Sequence, residues 1–200
     1  MTSTAQRKVP RKVPAYLIKE ILNGIPIYYK GYKAVLRKEK TLESIMGASG
    51  LQVFILRYFS YLLIRQLDEN QYFVFTGEGG MHLDVNNNLS GDVMIYEQNK
   101  LPISKIDTHY LDVPPKIDIE IDVSIDTTDF TEQTYIYQKT DRLLSWGVEK
   151  VIWVLSASKK VIVAEQGKDW LLIDWSKDIE IIDGIKFNIS QYLEKSGVNF

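Results

Sequence analysis

Two hundred residues, 45% hydrophobic and 25% charged, suit one globular domain that buries a core without metal or disulfide staples. The lack of cysteine excludes structural disulfides, thiol catalysis and thiolate zinc sites. With only His82 and His109, a multi-histidine metal centre or a serine–histidine triad has little material. The net charge of −2 hides an asymmetry. Residues 1–40 carry ten Lys/Arg against two acids, and residues 41–200 carry fourteen against twenty-four. A basic arm beside an acidic body suits phosphate contact near a metal site, and equally a solvated tail.

In chain order, "RKVPRKVP" (Arg7 to Pro14) holds two prolines and four cations and predicts an extended basic arm over 1–15, ahead of a single domain over 16–200. "YLIKEIL" has apolar residues near helical spacing and predicts a short helix, ended by Asn23-Gly24 and Pro26. "TLESIMGASGLQVFILRYFSYLLIRQL" predicts the longest helix, capped by Thr41, with Gly47 and Gly50 marking a break. "QYFVFTGEGGMHLDV" predicts a hairpin turning at "TGEGG". "GDVMIY" follows as a short strand, then a polar loop over 97–113.

"DFTEQTYIYQKTDRLLSWGV" predicts a helix boxed by Asp129 and Glu132 and stopped by Gly147, and "KVIWVLS" a buried strand. Two more strands, the apolar "IEIIDGIKF" and a terminal helix complete the chain. A helix between two strands is a crossover covering one sheet face, so the expected class is α/β with a mixed sheet. The longest apolar run, Leu51 to Ile64, is interrupted by Arg57 and too short to span a bilayer. With no apolar secretory signal, a soluble, cytoplasmic protein without membrane contact is expected.

"PPKIDIEIDVSIDT" (Pro114 to Thr127) carries the chemistry. Ile117, Ile119, Ile121, Val123 and Ile125 alternate with Asp118, Glu120, Asp122 and Ser124. The acids therefore share one strand face, each about 7 Å from the next. Asp92, opening "DVMIY", and Glu120 on neighbouring strands can share a hard divalent cation, Mg²⁺ or Mn²⁺. Two carboxylates about 5 Å apart repel by roughly 3 kcal/mol at an effective dielectric near 20, a penalty that a bound cation removes. An ammonium such as Lys139 can then offset charge on a phosphate.

These segments resemble the PD-(D/E)XK restriction-endonuclease-like superfamily, and within it most of all a large bacterial family abundant in cyanobacteria. "GDVMIY" resembles that family's "PDVxxV", "PPKIDIEIDVS" its "PPDLVVEVLSP", and "KTDRLLSWGVEKVIWV" its "KxxxYxxxGVxxYWxV". "KEILNGIPIYY" is similar to its early "ELIDGELY", so the likeness covers most of residues 16–165. It implies a restriction-endonuclease-like mixed sheet in αβββαβ order flanked by helices, with extra C-terminal strands. It also implies a metal-dependent endonuclease acting on DNA, with Asp92 and Glu120 as metal ligands and Lys139 as the catalytic lysine. Related nucleases pair subunits to cut two strands, which extends the option of a homodimer to this chain.

Two departures stand out. Gly91 replaces the motif proline, and Asp122 occupies the lysine position of E-x-K. In the resembled family that lysine commonly moves to the following helix, where Lys139 lies. An outward-pointing Lys139 would instead describe a catalytically impaired protein that binds nucleic acid or a protein partner.

Asp122, Glu43 and Gln138 stand as additional site candidates, Glu43 also as a helix-end acid and Asp122 also as an exposed one. Arg142, like Gln138, suits phosphate contact or a solvated face. Asp118 reads as an exposed acid at the strand entrance, Tyr135 as packing, Trp146 and Trp153 as core, and both histidines as surface residues. A calcium module built on the acid row lacks the D-x-D-x-D-G loop.

Overall fold

The computed structural model describes residues 13–123, 125–127 and 131–200. The proposed arm and Asp129 of the expected capping box therefore lie outside the described residues, except for Val13 to Ala15 of the arm.

The first element corrects the sequence reading. "IKEIL" and "IPIY" are not helical but form strands β1 (Ile18–Leu22) and β2 (Ile25–Tyr28), paired antiparallel. Asn23 and Gly24 between them have φ of 54° and 75°. Two positive φ values in a two-residue loop match the twist of a hairpin, and Asn-Gly takes them at little cost. Pro26 is tolerated because β2 lies at the edge of the sheet.

Helices α1 (Tyr32–Leu36), α2 (Glu43–Met46) and α3 (Gly50–Gln66) follow. The expected long helix is broken between α2 and α3, where Ser49 caps α3 by accepting from the Gln52 amide. Strands β3 (Tyr72–Asp84) and β4 (Asn87–Glu97) form a long hairpin. "TGEGG" is no turn. Gly77 and Glu78 have φ of 96° and 59°, and the pairing steps from Thr76–Val93 to Gly79–Gly91. That is a bulge inside β3, and the chain reverses instead at Val85-Asn86.

β5 (Ile117–Ile121) runs antiparallel to β4. Helix α4 (Glu132–Trp146) crosses to β6 (Lys150–Leu155), which lies parallel to β5. Thr131 caps α4 through the Thr134 amide, and Gly147 ends it at φ 122°. β7 (Lys160–Glu165) and β8 (Leu171–Asp174) extend the eight-stranded sheet, ordered β2-β1-β4-β5-β6-β7-β8 with β3 also on β4. The hairpin of β9 (Ile179–Ile182) and β10 (Ile185–Phe187) and helix α5 (Ile189–Lys195) close the chain.

The order α3-β3-β4-β5-α4-β6 keeps the expected αβββαβ plan. On one side of the sheet Ile55, Phe59 and Leu63 of α3 pack with Val93, Ile95, Ile119 and Phe187. On the other, Ile136 and Leu143 of α4 pack with Met94, Tyr96, Val151 and Trp153. Both faces of β5 are therefore covered, and all five of its residues are buried. No helix among the described residues is long and apolar enough to cross a membrane.

Candidate active site

Alternation along β5 turns Ile117, Ile119 and Ile121 to the α3 side. Asp118 and Glu120 consequently fall beneath α4. Asp118 is fully buried, which corrects the reading of an exposed strand-entrance acid. Solvent would be available to that face only if α4 did not lie on it.

Lys139 reaches down from α4 to the same place. Its Nζ lies 2.7 Å from Glu120 Oε1 and 2.8 Å from Glu20 Oε1, and donates to the Ser90 carbonyl at 2.7 Å. Glu20, on β1, was not singled out in the sequence, yet its side chain is wholly buried and four-fold bonded. Tyr135 Oη donates to its Oε2 at 2.6 Å, and the Ser90 hydroxyl and amide donate to its Oε1 at 2.7 and 3.1 Å. Tyr135 is thus a hydrogen-bonding partner as well as packing. The Lys139 ammonium sits 5.6 Å from the Tyr135 ring centroid and 5.7 Å from that of Trp153. Trp153 itself donates from Nε1 to Thr140 at 2.8 Å, which fixes α4 against β6.

The charges follow from burial and from these partners. Burial alone would lower the Lys139 pKa, but Glu120 and Glu20 more than offset it and hold the ammonium well above its usual range. Burial likewise pushes against the Glu20 carboxylate, but Lys139 and the Tyr135 and Ser90 hydrogen bonds bring it below its usual value. Glu120 goes the other way. Desolvation raises its carboxyl well up, with Asp118, Asp92 and Glu20 adding to the rise and Lys139 opposing it. Desolvation pushes Asp118 up to about 7. Four carboxyls (Glu20, Asp92, Asp118 and Glu120) thus feel the Lys139 charge, and Lys19 acts on Asp92 as well.

Asp92 occupies β4, one residue short of Val93, which pairs with Ile119. Its Oδ2 accepts from the Ile121 amide at 2.7 Å, and burial raises its pKa. It lines a cavity of about 270 Å³ with Met46, Gln52, Leu56, Glu78 and Ile121, which neither Glu120 nor Lys139 lines. Gly91, in place of the motif proline, has a packing reason. A Cβ there would stand 2.3 Å from Asp118 Oδ1 and 2.8 Å from Met94 Cγ.

The remaining candidates separate from this centre. Asp122 leaves the strand alternation at φ 60° and accepts from the Ser156 amide and hydroxyl at 2.6 and 2.7 Å. It ties the end of β5 to the end of β6 instead of standing beside Glu120. Glu43 is exposed on α2, where its own backbone N–H and the Thr41 hydroxyl lower its pKa, the behaviour of a helix-end acid. Gln138 is half-buried about 100° round α4 from Lys139. Arg142 donates to Asn23 at 2.8 Å. Trp153 is fully buried, and Trp146 packs at the core margin. His82 and His109 are exposed but line one cavity of about 570 Å³, bonded to Asn88 and Asp107 respectively.

Among the described residues no group of three or more His, Asp or Glu side chains is arranged to hold a metal ion. A two-carboxylate site remains open to a hard cation that keeps its waters. Glu120 Oε1 takes the Lys139 ammonium at 2.7 Å, and the buried Asp118 carboxyl is hydrogen-bonded to that of Glu120. The carboxyls of Asp92 and Glu120, near enough for Asp92 to raise the Glu120 pKa, suit Mg²⁺ or Mn²⁺ in their chemistry.

No family model matches the chain, and no curated protein does. A crystal structure from Anabaena variabilis, described as "a putative nuclease belonging to DUF820", superposes with a TM-score of 0.61. The match covers 94% of each chain at 13% identity. The chain shares the fold of that structure. At that identity the likeness concerns architecture, and the shared mixed sheet with flanking helices and added C-terminal strands is what it establishes.

Proposed function

We propose that the protein is a Mg²⁺- or Mn²⁺-dependent endonuclease of the PD-(D/E)XK type that hydrolyses DNA phosphodiesters. The observation that carries the reading is the Lys139 ammonium 2.7 Å from Glu120, supplied by the crossover helix where Asp122 stands in place of the strand lysine. Asp92 and Glu120 would hold the cation, which when bound supplies an activated water and neutralises phosphate charge. Lys139 would donate toward the oxygen that gains charge as the phosphodiester is attacked. Glu20 and Tyr135 keep it charged and aimed, and α3 and α4 exclude water from both sides of β5.

The test is cleavage of supercoiled plasmid with Mn²⁺ by the wild type and by Glu120→Gln, which preserves shape and removes the charge. Cleavage by the wild type that disappears in Glu120→Gln supports the reading. Equal cleavage by both proteins ends the assignment.

One observation favours a second reading. Glu120 is drawn to Lys139 while Asp92 opens onto a different cavity, the arrangement of a nuclease-fold protein that binds nucleic acid without hydrolysing it. DNA binding insensitive to EDTA, with no cleavage under any divalent metal, would select it.

A further inference from the structure

The basic charge of the N-terminal part of the chain collects at a particular place in the fold. Residues 30–40 contain Lys30, Lys33, Arg37, Lys38 and Lys40 against one acid, Glu39, in a chain whose residues 41–200 carry a ten-charge acidic excess. Arg37 holds the Glu39 carboxylate through two bonds of 2.7 and 2.8 Å. Lys38 and Lys40, both exposed, line the groove between α1 and α2 together with Glu39, whose carboxylate Arg37 holds. That groove has a volume of about 610 Å³, and Thr41 and Ser44 contribute hydroxyls to its lining.

Its position gives it meaning. Ile45 of α2 packs 3.4 Å from where a Cβ on Gly31, at the start of α1, would sit. Ser44 lines the groove, and Met46 lines the Asp92 cavity. Two residues of helix turn about 200°, so they face opposite sides of α2, about 10 Å apart across it, a span of about three nucleotide steps of a duplex strand at about 3.4 Å each. The two hollows are therefore neighbours on either side of α2, one cationic and one bearing a carboxylate.

We infer that the α1–α2 groove seats the sugar–phosphate backbone of a nucleic-acid duplex and sets a phosphodiester about three steps along the strand at the Asp92 cavity. The inference rests on the nuclease-fold reading above and adds where the polymer lies. Lys38 and Lys40 act as backbone-positioning charges, reading no sequence and making no contact with the reacting atoms. Their contribution is salt-dependent, because each neutralised phosphate releases a condensed counterion.

Fluorescence anisotropy of a short labelled duplex with the full chain in EDTA, across a NaCl series, tests this. Lys38→Gln/Lys40→Gln should weaken binding about tenfold at low salt and lower the slope of log K against log salt by about 2, one unit per lost phosphate contact. Lys177→Gln/Lys195→Gln, at exposed sites after β8 and at the end of α5 that do not line the groove, should leave both unchanged. A wild type that binds or cleaves duplex DNA, with the Lys38/Lys40 variant within twofold in affinity and slope, overturns the groove and leaves the nuclease reading standing. A wild type that neither binds nor cleaves overturns both. Capture by phosphatidylserine-containing vesicles that depends on the same lysines, without duplex binding, also overturns the inference, because the partner would then be a lipid surface.

Discussion

Replacing Lys139 by Met removes the ammonium that, among the described residues, bonds Glu20 and Glu120, while nearly conserving volume. The three side chains are 1%, 0% and 8% exposed, and the two ion-pair distances are 2.8 and 2.7 Å. The contact with the ionised Glu20 corresponds to roughly 6 kcal/mol of Coulomb energy at an effective dielectric near 20, before the desolvation that opposes it, and the Glu120 contact to as much only when its raised carboxyl is ionised. Deleting one partner of such a buried pair leaves an uncompensated charge and costs about 3–5 kcal/mol, the loss expected near pH 8.

The pH dependence follows from the shifts. In the wild type the depressed Glu20 carboxyl contributes stability that is present above its unfolded pKa and lost as acid is added. Without Lys139, burial raises that carboxyl, so the folded variant gains relative stability as it takes up protons. The gap between the two proteins should therefore narrow by about 1–2 kcal/mol on going to about pH 5. Urea unfolding followed by tryptophan fluorescence measures it, since Trp153 lies in the cluster. Glu20→Gln/Lys139→Met should recover part of the loss, because the orphaned charge is gone. A loss under about 1 kcal/mol near pH 8, or an unchanged gap near pH 5, would show that Lys139 is not the counter-charge of this cluster.

Asp118→Asn should stabilise the protein progressively as pH rises. With the folded pKa near 7 and the unfolded value near 3.8, wild-type stability from this group is present below the unfolded pKa and lost through the folded one. The slope is at most about 1.4 kcal/mol per pH unit, and denaturant midpoints across that window should flatten in the variant. Gly91→Ala forces its Cβ onto Asp118 and Met94 and should cost about 1–3 kcal/mol; calorimetry on Gly91→Ala/Asp118→Ala should show less than the sum of the single losses. Asp122→Ala removes both bonds from Ser156 and leaves alanine at φ 60°, for a loss of about 2–3 kcal/mol by urea titration. It should leave DNA cleavage at saturating substrate intact, and a variant inactive yet folded would return Asp122 to the site.

The period-two run of β5, the Gly147 stop of α4 and the apolar stretch of β6 were legible because each is written in adjacent residues, as were the placements of Glu120 and Lys139, whereas Asp92, expected to open its strand, lies in the middle of β4 (Asn87–Glu97). The β1–β2 hairpin was not, because seven residues of apolar spacing outweighed the Asn-Gly turn that decided the structure. Glu20 had no local mark at all. It lies 119 positions from Lys139, and only the pairing of β1 with β4 and the crossover of α4 bring the two together. Asp118 and Asp122 both belong to the acid row, yet one is sealed beneath α4 and the other leaves the strand at Ile121 to bond Ser156. Hydrogen-bond periodicity and turn chemistry act over a few residues and can be read there. Desolvation and counter-charge depend on what lies across the sheet, which the fold supplies only when the distant segments have closed on one another.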